Sequence, residues 1–441
     1  MAAAFEQEKS MEPVRIAMAG FGTVGSGLAN ILSDNGEWIR SRVGRTIEIS
    51  DVLVRDLNKK RGAELPPNVR LTTDPTALLA SDAPVLLELM GGIEAARDII
   101  VKAMEAGKHV VTANKHLLAE HGTELFELAA RKNVGLFYEA SVAGGIPIVQ
   151  TLRESLAGDR IVKINGILNG TANYILSEMS TTGLDFATAL RQAQELGYAE
   201  ADPTLDVDGH DAAHKLVVLI RLAFGKDYPL QLLPVRGIGA VERKDIEFAR
   251  EFGYRVKLIA QVREIGGKLE AGVHPMLVRH TYLLARVGGN FNAVRVEGKA
   301  VGPVMLHGQG AGDLPTGNAV LADVMALVRH LRCRCNGPDN TGFGNAPLQK
   351  ADILSPDLAS SQHYFRFTVA DRPGVMAVIS KTMADNEVSI AQAVQKGDPQ
   401  SGSVPIVFLT HEAGAKNVAD TIRTIDSMDF TIRPTVHYRI L

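Results

Sequence analysis

The sequence predicts three successive folded units: a doubly wound α/β domain, an α+β domain, and a ferredoxin-like βαββαβ domain. Three observations carry this. From Val14 to about Pro147, short apolar runs alternate with helical segments, which indicates a parallel sheet with crossover helices. Between Ile148 and about Asn340, strand-like and helical stretches segregate instead. The last segment, from His363 to Leu441, reads strand, helix, strand, strand, helix, strand.

In the first unit (residues 13–147), "VRIAMAG" reads as a strand, "VGSGLANILSDN" as a helix and "EISDVLVRD" as a second strand. "APVLLELM", the helix "EAARDIIVKAMEAG" and the strand "KHVVTAN" follow, then the helix "HLLAEHGTELFELAARKN" and the strand "VGLFYEAS". The second unit (148–340) opens on "DRIVKINGILNG" and the helical "TANYILSEMSTTG", and closes on the helix "PTGNAVLADVMALVRHL". Residues 341–362 are rich in Gly, Pro, Asn and Ser without periodicity and read as a linker to the third unit, 363–441.

Composition narrows the function. Hydrophobic residues at 46%, charged residues at 22% and a net charge of −3 give no electrostatic drive toward nucleic acid or anionic membrane. The N-terminal "MAAAFEQEKSMEP" lacks an apolar signal core, and no apolar run approaches the ~18 residues a membrane span needs. The two cysteines, Cys333 and Cys335, read as reduced thiols. A cytoplasmic protein is expected.

"GFGTVG" places Gly20, Gly22 and Gly25 in G-x-G-x-x-G spacing between the first strand and the first helix, with Phe21, Thr23 and Val24 between them. The first glycine permits the tight turn, the second lets the backbone approach a pyrophosphate, and the third lets helix and strand pack closely. In this context the motif predicts a Rossmann-like dinucleotide site. At the end of the second strand, Arg55 is followed by Lys59, Lys60 and Arg61. A guanidinium there suits a 2′-phosphate, so NADP is favoured, while Asp56 leaves room for NAD. Ligands of open α/β sheets sit beyond the carboxyl ends of the strands, which puts Asn114 and Lys115 beside the nicotinamide.

"GYAEADPTLDVDGHDAAHKL" gathers Glu200, Asp202, Asp206, Asp208 and Asp211 ahead of Lys215. A calcium loop fails on register: with Gly209 at the loop's sixth position, Lys215 falls where a bidentate Glu is required. A capped helix explains Asp208 as N-cap and Asp211–Lys215 as an i,i+4 pair worth roughly 0.2–0.5 kcal/mol. A polar active site managing an amine and a proton explains the same residues, and this segment alone leaves both readings open.

Together "GFGTVGSG", "TANK", "EASVAGGIPI", "LNGTANYIL", the acidic segment and "GAGDLPTGNAVLAD" resemble homoserine dehydrogenase, in the family's order across residues 13–330. "VADRPGVMAVISKTMADNEVSIAQAVQK" resembles an ACT domain. The resemblance implies NAD(P)-dependent interconversion of L-aspartate-4-semialdehyde and L-homoserine. It implies that Lys215 and Lys115 act at the reacting centre, with Asp211 orienting Lys215. Glu200 would bind the substrate ammonium, with Asp206, Thr171 and Tyr198 around it and Gly312 at the cofactor. Asp202 and Asp208 would be loop and cap residues, and His210 and His214 structural.

The turn after Glu139 resembles the family's monovalent-cation site. Glu139, Val142, Gly144 and Ile146 would offer oxygen ligands that suit Na⁺ or K⁺. Gly317 stands where the family pattern has Ala or Ser, which suggests a looser helix start. The ACT resemblance implies threonine as effector, and a homo-oligomer is expected. Two rival readings bear on the same residues. A hydroxy-acid dehydrogenase would have no place for the acidic segment and its lysine, and a redox- or amino-acid-sensing regulator that binds NADP(H) and uses the ACT domain finds no support in a helix-turn-helix signal or a basic patch.

Overall fold

The computed structural model describes residues 12–333, 339–396 and 402–441. Cys335, the Cys333 side chain and the N-terminal residues up to 11 lie outside the described residues. Among the described residues no helix is long and apolar enough to cross a membrane. Contacts divide the chain into two compact units, neither continuous in sequence. One comprises residues up to Val162 with Asp211–Leu233 and Phe291–Lys350; the other comprises Lys163–His210, Pro234–Asn290 and Ala351–Leu441.

The first unit is built on six parallel strands: β1 (Val14–Ala19), β2 (Ile47–Leu53), β3 (Arg70–Thr72), β4 (Val85–Glu88), β5 (His109–Thr112) and β6 (Leu136–Phe137), in the order β3-β2-β1-β4-β5-β6. This is the doubly wound order, and the order of the strands reverses between β1 and β4. The central strands are buried on both faces, which explains their nearly unbroken apolar runs. Helix Thr23–Val43 follows β1 directly, and the helix Lys115–Lys132 follows β5 with Asn114 as its N-cap, the Oδ1 accepting from the Leu117 amide at 3.1 Å.

Helix Asp313–Cys333 packs against Thr23–Val43. Their contact is backbone on backbone. A Cβ on Gly27 would sit 2.1 Å from the Asp313 carbonyl oxygen, and one on Gly317 would sit 2.7 Å from the Leu28 nitrogen. Gly317 therefore does not loosen this helix start, contrary to the expectation from sequence. It removes the side chain that would hold the two helices apart.

In the second unit, strand Ile161–Ile167 pairs antiparallel with Tyr254–Ile265, which pairs with Lys268–Arg279. Beyond it comes the βαββαβ fold: strand Ser360–Ala370, helix Val375–Asp385, strands Ile390–Gln395 and Ser403–Thr410, helix Ala415–Asp426 and strand Thr431–Ile440. Phe365, Phe367, Ile379, Met383, Phe408 and Ile425 form its core. The last strand joins Lys268–Arg279 in parallel, pairing Met276 with Arg439 and Leu277 with Ile440, so one sheet runs through the unit. Buried Asp245 accepts from Arg366 (Nε at 2.7 Å) and from the Tyr364 hydroxyl at 2.9 Å, so this buried charge is paired.

The same seam buries histidines. The ring nitrogens of His363 (Nδ1) and His437 (Nε2) lie 2.8 Å apart. Burial, with Arg439 nearby, holds His363 down at about 4. Burial likewise holds His274 at about 4 and His437 well below its ordinary value, against Arg236 and Arg439. Unfolded histidine titrates near ~6.5, so the fold favours the neutral form. Their contribution is complete above about pH 6.5 and is lost as pH falls toward about 4. Melting temperature should drop steeply across that window, and His437→Gln should flatten the slope. An unchanged slope in the variant would assign the acid sensitivity to other groups.

Candidate active site

The glycine fingerprint has the geometry a dinucleotide requires. Gly20 adopts φ +100°, and a Cβ there would lie 2.6 Å from the Leu89 carbonyl oxygen, so the turn into the helix excludes a side chain. A Cβ on Gly22 would meet nothing within 4 Å, which leaves the backbone open to an approaching pyrophosphate. Gly25 packs on Phe21 and the Gly20 carbonyl. Thr23 and Val24 begin the helix, and no acid stands in its first turn to compete with a phosphate. These residues fit a dinucleotide. Gly312, at φ +126°, precedes Asp313, whose carbonyl abuts Gly27 on the same helix.

Arg55 is exposed just beyond β2, and its guanidinium has no hydrogen-bond or ion-pair partner among the described residues. Arg61 is spent differently, donating to the main-chain carbonyls of Asp56, Leu57 and Lys59. The Asp56 carboxylate accepts from the Asn58 amide at 2.8 Å.

At the carboxyl edge of β5, Lys115 opens its helix. Its Nζ lies 3.0 Å from Asp211 Oδ1, while Lys215 Nζ donates to Asp211 Oδ2 at 2.7 Å. Asp211 and Lys215 are 7% and 8% exposed, whereas the Lys115 side chain is 41% exposed. Two ammonium groups from two helices thus share one buried carboxylate. The neighbours of the lysines also meet: the His116 and His214 rings stack at 4.3 Å, 12° from parallel. Burial pushes His214 down to about 4, with His116 adding to the effect, so His214 is a neutral spacer at physiological pH.

Glu88, which the sequence reading did not single out, ends β4 fully buried. Its carboxylate accepts from the Met90 amide at 2.9 Å and the Thr112 hydroxyl at 2.6 Å, and burial raises its pKa. Asn114 Nδ2 reaches the Gly92 carbonyl at 2.6 Å. Glu88 and Asn114 thereby fix the loop after β4 against the start of the Lys115 helix. The available signal was an acid closing an otherwise apolar run.

The glycine-rich turn after β6 docks on residues 308–312. A Cβ on Gly144 (φ +48°) would lie 2.6 Å from the Gly310 carbonyl oxygen, and the Gly145 amide donates to the Gln309 carbonyl at 3.0 Å. The Glu139 carboxylate accepts from the Val149 and Gln150 amides at 2.9 and 2.7 Å, and burial pushes it up to about 7. The Glu139 amide donates to Asp323, which burial and the Glu139 charge raise well above the carboxylate range. The Ile146 carbonyl accepts from the Ile148 amide at 2.7 Å. The buried carbonyls of Val142 and Gly144 accept no hydrogen bond among the described residues, so this turn fits a cation held by backbone oxygens.

In the second unit, Asn169 caps helix Gly170–Thr181 through the Ala172 amide at 2.7 Å, and its Nδ2 donates to Asp206 Oδ1 at 2.6 Å. The Thr171 hydroxyl donates to the Tyr198 carbonyl at 2.6 Å, and the Tyr198 ring meets Tyr174 edge-on at 5.1 Å. Thr171, Tyr198, Asn169 and Asp206 are thus tied locally. Asp202 accepts from the Thr204 amide at 3.1 Å as a loop residue. Asp208 ends the short helix Thr204–Val207, with Gly209 between it and helix His210–Phe224. The exposed Glu200 carboxylate has no partner among the described residues.

A doubly wound sheet with an open glycine fingerprint, and a lysine pair on a shared carboxylate at a strand's carboxyl edge, define a nicotinamide-nucleotide-dependent oxidoreductase. Three family models match along the chain in order: the homoserine dehydrogenase NAD-binding domain over residues 20–139, homoserine dehydrogenase over 147–325, and the ACT domain over 363–429. The chain belongs to the homoserine dehydrogenase family. It is 43% identical to a homoserine dehydrogenase of Neisseria gonorrhoeae over 432 residues, covering 98% of this chain and 99% of that one. The Bacillus subtilis homoserine dehydrogenase is 37% identical over 433 residues, with the same coverage.

The crystal structure of a homoserine dehydrogenase from Thiobacillus denitrificans superposes with a TM-score of 0.92 at 40% identity, over 98% of this chain and 99% of that one. A hyperthermophilic archaeal homoserine dehydrogenase, solved with NADPH, gives 0.61 at 27% identity over 74% of this chain and all of its own. The activity is the reversible, NAD(P)-dependent reduction of L-aspartate-4-semialdehyde to L-homoserine in the biosynthesis of threonine, methionine and isoleucine.

Proposed function

We propose that Lys215, Asp211 and Lys115 carry the proton chemistry of this reaction and that NADP is the preferred nucleotide. The observation that supports the first part is the convergence of both ammonium groups on Asp211. When bound, the nicotinamide exchanges a hydride with the substrate's C4. Lys215 donates the proton to the developing alkoxide during reduction and receives it during oxidation. Asp211 orients Lys215, and Lys115 orients the reacting end of the substrate. Glu200 takes the substrate ammonium, with Asp206, Thr171 and Tyr198 shaping the surroundings. Gly20, Phe21, Gly22, Thr23, Val24, Gly25, Asn114, Lys115 and Gly312 hold the nucleotide.

NADP preference rests on Arg55, whose unpaired guanidinium at the end of β2 suits a 2′-phosphate. Homoserine oxidation followed at 340 nm tests this. Arg55→Ala should raise the KM for NADP⁺ by about tenfold, the worth of one charge-assisted contact, and leave that for NAD⁺ nearly unchanged. Equal effects on both nucleotides would remove Arg55 from the phosphate site.

Na⁺ or K⁺ would be held by the carbonyls of Val142, Gly144 and Ile146, with Glu139 contributing its side chain or its carbonyl. The proposed division is 13–147 for the nucleotide, 148–340 for the substrate, a linker over 341–362 and the ACT domain over 363–441. A small amino acid, threonine by family resemblance, would act at the ACT domain of a cytoplasmic homo-oligomer.

A further inference from the structure

The second unit contains a cavity of about 440 Å³ bounded by helix Gly170–Thr181, strand Tyr254–Ile265 and the segment 285–288. Arg255, Lys257, His280 and Arg286 line it together with Ser177, Ser180 and Thr181, and no lining residue is acidic. None of these residues belongs to the machinery assigned above.

Lys257 is 4% exposed, yet its ammonium donates only to uncharged acceptors, Asn173 Oδ1 at 2.9 Å and the Val287 carbonyl at 2.6 Å. Arg255 donates to the Ser180 hydroxyl. Among the described residues, Arg255, Lys257 and Arg286 form no ion pair. His280 Nε2 faces the Tyr254 carbonyl at 3.0 Å. Ser177 is 8% exposed, and its hydroxyl has no hydrogen-bond partner among the described residues.

A buried ammonium beside a guanidinium, without a counter-ion, is costly: each unpaired buried ion loses several kcal/mol of hydration. Burial, with Arg255 next in effect, accordingly pushes Lys257 down to about 7. The charged side chains on the wall are basic, and no acidic side chain on it answers them. The volume exceeds what inorganic phosphate would fill, and Leu176, Val256 and Ala285 supply an apolar portion of the wall.

We propose that this cavity binds a small organic oxyanion, its acidic head held by Arg255, Lys257 and the Ser177 hydroxyl and its aliphatic body lying against Leu176, Val256 and Ala285. The head is a carboxylate or a phosphate monoester, both of which match a guanidinium fork.

Calorimetric titration of the full-length protein with butyrate and, separately, butyl phosphate tests the site and distinguishes the two heads. At least one should bind with a Kd of about 1 mM or tighter. Arg255→Gln, which keeps the reach to Ser180, should weaken that binding by about tenfold or more. Ser177→Ala removes only the unpartnered hydroxyl and should weaken it by about threefold without altering the melting temperature. Absence of heat with both ligands at about 10 mM would overturn the proposal. So would undiminished binding by a folded Arg255→Gln protein. Should Arg255→Gln fail to fold, unchanged affinity in Ser177→Ala would overturn it as well.

Discussion

Lys215→Met should lower homoserine-dependent NADPH formation by about 10²–10⁴-fold while NADPH affinity changes by less than about twofold. The two readouts separate because of how the cluster is built. Methionine is unbranched like lysine and only one atom shorter, so it fills most of the buried space that Lys215 occupies at 8% exposure. Its loss does not strand the Asp211 carboxylate, since Lys115 Nζ remains 3.0 Å from the other oxygen. A buried carboxylate with no partner would cost several kcal/mol, but here one ion pair survives. The fold and the nucleotide site should therefore persist. Titrating NADPH by its fluorescence alongside the 340 nm assay checks both halves. Turnover within about tenfold of wild type would take Lys215 out of the proton path. Parallel loss of NADPH binding and turnover would mean the fold had been damaged.

The part of this site that was legible in sequence is the part that depends on neighbours along the chain. Gly20, Gly22 and Gly25 are constrained by a single strand–turn–helix, so their spacing carries their geometry. Asp211 and Lys215 are four residues apart on one helix, and their pairing follows from that register. Lys115 could be placed at a strand's carboxyl edge but not beside Asp211, because that contact is made by a helix far along the chain. Glu88 was hidden in "VLLELM", since its role exists only once Thr112 and the turn at Met90 close around it.

The stretch read as a linker has no periodicity, and its structure comes from long-range contacts instead. Just before it, buried Asn340 accepts from the Leu136 amide at 2.7 Å and supports β6, a strand of only two residues. Within it, Gln349 and Lys350 pair with Lys226 and Asp227. Grouping by composition follows the chain in order, whereas contacts gather Asp211–Leu233 and Phe291–Lys350 around the nucleotide-binding sheet. A chain that leaves a unit and returns leaves no local mark of doing so.

Gly27→Ala illustrates the same point, with an expected effect opposite to what local propensity gives. Alanine in a helix interior is favoured over glycine by about 1 kcal/mol, so from sequence the change should stabilise helix Thr23–Val43. The position faces Asp313, however, and the new methyl would lie 2.1 Å from its carbonyl oxygen and 2.4 Å from its carbonyl carbon. Backbone atoms cannot rotate away as a side chain would, so the two helices must separate. That separation strains the core in which Leu28 and Ala29 lie with Val320, Leu321 and Val324. Overpacking of this kind costs about 1–3 kcal/mol, enough to exceed the propensity gain.

Because helix Thr23–Val43 begins at the fingerprint, NADPH affinity should fall with it, by about tenfold. Gly36→Ala, just after the non-helical break at Asn35 in the same helix, is the control: its Cβ would meet nothing within 4 Å, so no clash opposes the change and the melting temperature should hold or rise. Thermal melts with and without NADPH on both variants decide the matter. A Gly27→Ala protein as stable as the Gly36→Ala protein would mean that the close approach of the two helices contributes nothing to the fold.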